Sequence, residues 1–355
     1  MTGEALFLET FDRPPDSTSR ASGRVNLIGE HTDYNGGLVL PVPIGRYTDV
    51  ALAASSGRAD EIVSARFGEA VSCDLSSPST GHWTDYAVGA LRAARTSGWI
   101  EGPQRLAIAG DLPVGAGLSS SASLVLAVLE ASARAAGARP DARDLARMAR
   151  RVENDHVGVP CGIMDPMAIA AGRPAHAMRL DTRTLQLEYE ALPTDWRIAV
   201  VDSGVRRKLS EGRYAERRKE CEQAALQLGV PFLCLLPEHL RAAASSLPDP
   251  LSRRARHAWS DHRRVDLAIR AIRDGDIERF GRILTEGHAS LRDDFDVSTP
   301  AIDARVDFAV EAGAAGARLT GGGFGGCIVC VVPAKLCDDW SSRMRGSFEG
   351  ISIVC

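Results

Sequence analysis

The sequence predicts an α+β fold in two domains, and three observations carry that expectation. The chain has 355 residues, more than a single hydrophobic core usually serves. Strand-like and helix-like segments alternate irregularly, with no internal repeat of about 20–50 residues, which argues against a solenoid or a regular βαβ succession. A glycine loop at residues 111–123 lacks the third glycine of a dinucleotide fingerprint, so no motif supports a doubly wound sheet.

Composition narrows the function classes. Hydrophobic residues at 45% and charged residues at 25% are ordinary for a globular chain and do not indicate disorder. A formal charge of −4 and a pI near 6.1 argue against non-specific nucleic-acid binding; the basic run Arg206-Arg207-Lys208 reads as a solvated or ligand-facing loop. Residues 1–15 carry acids and no basic region before a long apolar core, unlike a secretory signal. The apolar run at 124–129 stops at Glu130 and Arg134, far short of a membrane span. A cytoplasmic, monomeric protein without nucleic-acid or membrane partners is expected. Eight scattered cysteines then favour reduced thiols. Cys327 and Cys330 form a C-x-x-C inside an apolar strand, where an odd separation turns side chains to opposite faces, so zinc is given little weight.

In chain order, the first dense segment is residues 23–37, GRVNLIGEHTDYNGG. Asn35-Gly36-Gly37 ahead of Leu38, Val39 and Leu40 is a hairpin signal. A turn needs one or two special residues, whereas Arg24, Glu30, His31 and Asp33 crowd together here with no evident packing duty. Carboxylates that accept from pairs of hydroxyls, beside an Arg and a His that donate, suit a polyhydroxylated ligand. Such a pocket rejects epimers, because a misplaced hydroxyl leaves a buried charge unpaired at roughly 1–3 kcal/mol or more.

Residues 106–109 read as a short strand and 122–135 as a helix, joined by DLPVGAGLSSSAS. The helix start offers unpaired N–H groups and a positive dipole end to a concavity of small residues, which suits an anion. The plain alternative is serine capping. Only Lys208, Lys219 and Lys335 occur, and no Gly-Lys pair exists, which excludes a Walker loop. A nucleotide here would be held by backbone amides, a metal ion and arginines. Residues 145–151 look helical, and Gly158, Pro160 and Gly162 break the helix, so Glu153 and Asp165 come from two sides of a turn. The proline-bearing stretch 237–250 reads as a helix–helix connection. Arg218 and Glu222 sit at helical spacing, as on a solvated face. At 319–327, LTGGGFGGC gives a backbone that can approach a ligand or another segment closely, and an apolar strand follows at 328–332.

The 23–37 run closely resembles the sugar-binding signature of galactokinases, within the superfamily that also phosphorylates homoserine, mevalonate and phosphomevalonate. The resemblance extends in order along the chain from about residue 20 to about 332. It implies two α+β domains, 1–190 and 191–355, with the active site in the cleft between them, and ATP-dependent phosphorylation of the anomeric hydroxyl of galactose. A sister kinase for N-acetylgalactosamine or arabinose and a non-catalytic galactose sensor are the competing readings.

The resemblance also implies roles. Arg24, Glu30, His31 and Asp33 match positions that contact galactose, joined by Gly162 through its backbone and by Tyr214. Residues 113–122 are similar to the P-x-x-x-G-L-x-S-S-A phosphate motif, which puts Gly115, Gly117, Leu118, Ser119, Ser120, Ser121 and Ala122 on the nucleotide and a hydroxyl, that of Ser121 before Ser120, on Mg2+. Trp83, followed by Tyr86, matches an adenine-side helix. The C-G-I-M-D pattern makes Asp165 the catalytic aspartate, with Glu153 on the metal; Arg24, if adjacent, keeps Asp165 ionised. The GGGFGG loop resembles the superfamily's third motif, and residues 288–302, beginning at His288, another galactokinase block, although a satisfied structural histidine is the plainer reading of His288. Two positions depart from the pattern. Val125 replaces an acid, a change expected to affect capping, and Pro166 replaces the glutamine after the aspartate, a change expected to affect local backbone geometry.

Overall fold

The computed structural model describes residues 1–204, 210–348 and 352–354, so Arg206, Arg207 and Lys208 lie outside the described residues. The chain divides into two compact units. The first comprises Met1–Arg24, Pro43–Val114 and Ser119–Gly172, the second Val25–Val42, Gly115–Leu118 and Arg173–Cys355. The elements run α1 (Gly3–Phe11), β1 (Ser17–Asn26), β2 (Leu38–Val39), β3 (Pro41–Ala54), β4 (Asp60–Ser64), β5 (Gly68–Cys73), α2 (Asp85–Thr96), β6 (Gln104–Gly110), α3 (Ser120–Ala135), α4 (Ala142–Arg151), α5 (Met164–Ala170), β7 (His176–Asp181) and β8 (Leu187–Ala191). They continue β9 (Trp196–Asp202), α6 (Ser210–Leu228), α7 (Arg241–Ser245), α8 (Leu251–Asp274), α9 (Ile277–Asp293), α10 (Pro300–Glu311), β10 (Gly316–Thr320), β11 (Cys327–Pro333), α11 (Cys337–Ser347) and β12 (Ser352–Val354).

In the first unit the strands order as β1-β3-β6-β4-β5. β6 pairs antiparallel with β3 and parallel with β4, a mixed sheet rather than a doubly wound one. Thr2 starts α1 by accepting from the Ala5 amide, and Leu6 and Phe7 of that helix pack on Ala51, Val63 and Ala107. α2 and α3 bury Ala90, Leu91, Leu126 and Leu129 in a second cluster with Val50, Ile62 and Leu106. Val125 belongs to that cluster and is fully buried in the second turn of α3. The capping expectation for Val125 therefore fails: the position is core, where an acid would have no water and Val packs.

The second unit holds a four-stranded sheet, β10-β11-β9-β12, and a three-stranded one, β2-β7-β8. β11 is buried along its length except Pro333, which explains its unbroken apolar run. α10 and β11 supply Ile302, Val306, Ile328 and Cys330 to a core with Phe295 and Trp340. Gly275 ends α8 at φ 65°, and Asp276 starts α9 by accepting from the Arg279 amide at 2.9 Å, so one short turn reverses the chain. The 237–250 stretch connects α6 to α8 through α7, as the sequence predicts. Arg218 pairs with Glu222 on α6. The antiparallel β9–β11 and β10–β11 pairs, beside helices grouped along the chain, bear out the α+β class. Among the described residues no helix is long and apolar enough to cross a membrane.

Candidate active site

In the first unit Asp165 stands in the first turn of α5. Arg24 of β1, 4% exposed, holds its carboxylate as a fork, Nε donating to Oδ1 at 2.8 Å and Nη2 to Oδ2 at 2.6 Å. Ser119 adds its hydroxyl to Oδ2 at 2.5 Å. Pro166 follows without disturbing the helix, which continues to Ala170, because amides of a first helical turn have no intrahelical acceptor to lose. The backbone departure expected at Pro166 is absent from α5.

Glu153 reaches the same unit from the end of α4, which widens after Arg151 into a π turn at Val152–Val157 and stops at Gly158 with φ 83°. Its carboxyl is 3% exposed, and burial pushes its pKa up to about 7, with Asp165 adding to the rise against hydrogen bonds from Ser121 and Cys161 and the charge of Arg24. The Cys161 Sγ lies 3.4 Å from Glu153 Oε2. A buried carboxylate bordered by another acid favours a cation beside it. Among the described residues no group of three or more His, Cys, Asp or Glu could hold a metal by itself. Glu153 and Ser121 offer oxygen donors, the set that suits magnesium when phosphates and water complete its shell.

Ser119 precedes α3 in the left-handed region, φ 59° and ψ 42°, and its side chain makes no capping bond. The serine-capping alternative fails here because the hydroxyl is spent on Asp165. The first amides of α3 are thereby left for another acceptor. Gly115 and Gly117 also take positive φ, 78° and 84°, and a side chain on Gly115 would meet nothing within 4 Å. Trp83 lies in the turn before α2, half-buried and stacked on the exposed Phe67 with ring centroids 4.8 Å apart.

In the second unit the signature forms an irregular loop. β2 pairs with β7 and does not fold back along β1; two backbone bonds close the loop, the Leu27 amide donating to the Leu40 carbonyl at 3.0 Å and the Leu40 amide to the Ile28 carbonyl at 3.1 Å. The hairpin expectation is thus corrected, since Thr32 to Asn35 wind into a tight turn instead. Glu30 is 2% exposed, and its Oε1 accepts from Thr320 Oγ1 at 3.0 Å and the Gly321 amide at 2.7 Å. His31 takes φ 61°, bonds Tyr34 Oη through Nδ1 at 2.8 Å and packs 5.4 Å from the Tyr214 ring and 4.6 Å from Phe295. Asp33 opens the one-turn helix Asp33–Asn35 and is half-buried. A Cβ on Gly322 would lie 3.3 Å from Tyr214. The structure therefore gathers Glu30, His31, Tyr214 and the GGGFGG loop in this unit. Tyr34, a member of the cluster, is not singled out in the sequence because a tyrosine inside a turn carries no spacing signal.

Positive φ at Gly321, Gly323, Phe324, Gly325 and Gly326 explains why the loop is almost all glycine. Cys327, just beyond it, donates its thiol to the Ala116 carbonyl at 2.9 Å. His288 is structural: Nδ1 accepts from the Leu319 amide and Nε2 lies 3.2 Å from Asp303.

The chain is 40% identical over 337 residues to the galactokinase of Mycobacterium bovis (strain BCG), covering 92% of this chain and 91% of that protein. The chain belongs to the galactokinase family. Family descriptions match in the same order: the galactokinase galactose-binding signature over residues 5–54, the GHMP kinases N terminal domain over 85–173 and the GHMP kinases C terminal region over 268–345. The crystal structure of Lactococcus lactis galactokinase complexed with galactose superimposes with a TM-score of 0.91 at 30% identity, covering 99% of this chain and 95% of that one. A mevalonate kinase from Methanococcus jannaschii shares the fold at a TM-score of 0.70 and 17% identity, over 95% and 96% of the two chains. The galactose-binding signature spans Arg24, Glu30, His31 and Asp33, and the N terminal match spans the phosphate loop, Glu153 and Asp165. As a galactokinase family member with both kinase regions, the chain is a sugar kinase.

Proposed function

We infer that the chain transfers the terminal phosphoryl group of ATP to the anomeric hydroxyl of galactose, giving galactose 1-phosphate. The observation that carries this reading is the Asp165 carboxylate, held on both oxygens by Arg24 and on Oδ2 by Ser119, in a chain matching the galactose-binding signature. Asp165 takes the anomeric hydroxyl as its hydrogen-bond donor, orients it, and accepts its proton late, as a loose phosphoryl-transfer transition state permits. Arg24 fixes the carboxylate and balances its charge.

The amides at the start of α3, with Gly115, Gly117, Leu118, Ser119, Ser120, Ser121 and Ala122, cradle the phosphates in place of a lysine. Glu153 and Ser121 hold Mg2+, which when bound neutralises charge on the phosphate oxygens. Glu30, His31 and Asp33 bond the ring hydroxyls; Gly162 and Tyr214 complete the sugar contacts, and Trp83 flanks the adenine. We place the reaction in the cytoplasm, where ATP is supplied. A coupled assay of ADP release over galactose, glucose, N-acetylgalactosamine and arabinose tests the reading: galactose is the preferred acceptor, turnover stops with a chelator and returns with Mg2+. Preference for another acceptor, or binding without turnover, overturns it.

A further inference from the structure

Beneath the signature loop lies a buried polar group that the assignments above do not use. Asp261, in the middle of α8 and 0% exposed, turns Oδ2 to two consecutive amides, those of Gly29 and Glu30, each at 3.0 Å. Arg318 of β10, equally buried, reaches the same oxygen at 3.2 Å, and Arg264 reaches Oδ1 at 3.3 Å. One turn earlier on α8, buried His257 places Nε2 3.0 Å from the Glu30 carbonyl and Nδ1 2.9 Å from Ser290 Oγ. A carbonyl only accepts, so Nε2 carries the hydrogen and Nδ1 accepts from the serine. Gly29 on one side of Glu30 and His31 on the other both take positive φ, 89° and 61°, and a Cβ on Gly29 would lie 2.4 Å from the Leu38 carbonyl. The backbone at Glu30 is thus gripped at its N–H and its C=O by one face of one helix.

A fold anchor alone does not call for this chemistry. Taking Asp261 and Arg318 fully out of water costs several kcal/mol per ion before pairing, and an apolar pair of like volume avoids that cost. What the charges add is direction, because one carboxylate oxygen, itself held by Arg318, accepts from two successive amides. We propose that Asp261 and His257 are positioning residues for Glu30, aiming its carboxylate at the sugar hydroxyls by holding both polar groups of its backbone. The inference rests on the reading above that Glu30 contacts the sugar. Glu30 itself is braced at Oε1 by Thr320 and Gly321, so a small rotation of its backbone would turn the carboxylate against that brace and away from its ligand.

The test uses steady-state kinetics and calorimetric galactose binding on the full chain. His257→Ala raises the galactose KM about tenfold with the ATP KM unchanged, and His257→Gln, whose amide N–H can still donate to the Glu30 carbonyl, returns it to within about threefold of the parent. Asp261→Asn, which keeps an acceptor and loses the charge, also raises the galactose KM and leaves that for ATP. Glu30→Ala is the control and weakens galactose binding at least as much. If Glu30→Ala loses galactose while His257→Ala and Asp261→Asn bind it like the parent, the clamp is overturned and the sugar contact of Glu30 stands. If Glu30→Ala binds galactose normally, the contact fails and the clamp with it. Equal losses toward galactose and ATP, or no rescue by glutamine, mark a merely structural role and also overturn the proposal. Should Asp261→Asn not fold, the two His257 variants decide alone.

Discussion

Ser119 donates its hydroxyl to Oδ2 of Asp165 at 2.5 Å from a backbone held at φ 59°. A non-glycine residue in the left-handed region costs about 1–2 kcal/mol, so the hydroxyl is retained at the expense of stability. Arg24 occupies a lone pair on each carboxylate oxygen and Ser119 a second on Oδ2, which leaves acceptor capacity on Oδ1. Ser119→Gly relieves the strain and removes the hydroxyl. Its thermal midpoint is expected to stay level or rise while kcat falls about tenfold. Thermal unfolding and kinetics on the same sample check this, and an undiminished kcat would show the hydroxyl to be idle.

Asp165→Asn removes the proton acceptor and keeps the shape. Turnover is expected to fall about 100-fold or more, with galactose and ATP still bound within about threefold of the parent affinity. Arg24 then faces an amide N–H in a buried position, so stability falls by about 1–3 kcal/mol as well. Turnover near the parent level with both substrates bound would remove Asp165 from the chemistry.

Acid weakens the fold through His257. Burial takes this imidazole down to about 4 from its ordinary 6.5; Asp261 and the Glu30 carbonyl resist the fall and Arg318 and Arg264 assist it. Between pH 6.5 and 4 the unfolded chain therefore binds a proton that the folded chain refuses, and stability rises with pH across that window. The contribution is whole above pH 6.5 and lost as pH falls through 4, with about 2 kcal/mol gone by pH 5. His288, also lowered to about 4 by burial, adds the same sign. Urea unfolding at pH 7.5 and 5 measures the difference, which shrinks in His257→Gln. An equal loss in both proteins would locate the acid sensitivity elsewhere.

The contrast between legible and illegible residues is physical. Glu30, His31, Asp33 and the serine loop are contiguous, so their density alone separates them from ordinary turns, and the lack of a Gly-Lys pair identifies how a phosphate must be held. Asp261 and His257 lie on α8 among arginines and a tryptophan, where a charged residue every turn looks like a solvated face; only their contacts with Gly29 and Glu30, more than 225 residues away, reveal otherwise. The π turn at Val152–Val157 that carries Glu153 has no local signature, because α and π turns draw on the same residues. Val125 misleads for a related reason. Its meaning depends on the depth of α3 in the core, which a motif does not record.

Glycines in the second unit divide by what stands next to them. Gly281 of α9 and Gly316 of β10 meet backbone to backbone: a Cβ on Gly316 would lie 2.0 Å from the Gly281 carbonyl oxygen, and one on Gly281 2.0 Å from that of Ala315. Neither neighbour is a side-chain end that could swing aside, so Gly316→Ala must push α9 off the sheet, at about 2–4 kcal/mol. Gly346 in α11 has ordinary φ and nothing within 4 Å of its would-be Cβ. There alanine lowers only the entropy of the unfolded chain and is expected to stabilise by about 0.5–1 kcal/mol. Chemical denaturation of both variants checks the pair. The sign reverses because one glycine is a spacing requirement between a helix and a strand and the other is a solvent-facing helical position; a destabilised Gly346→Ala would mean that α11 is braced by contacts on that face.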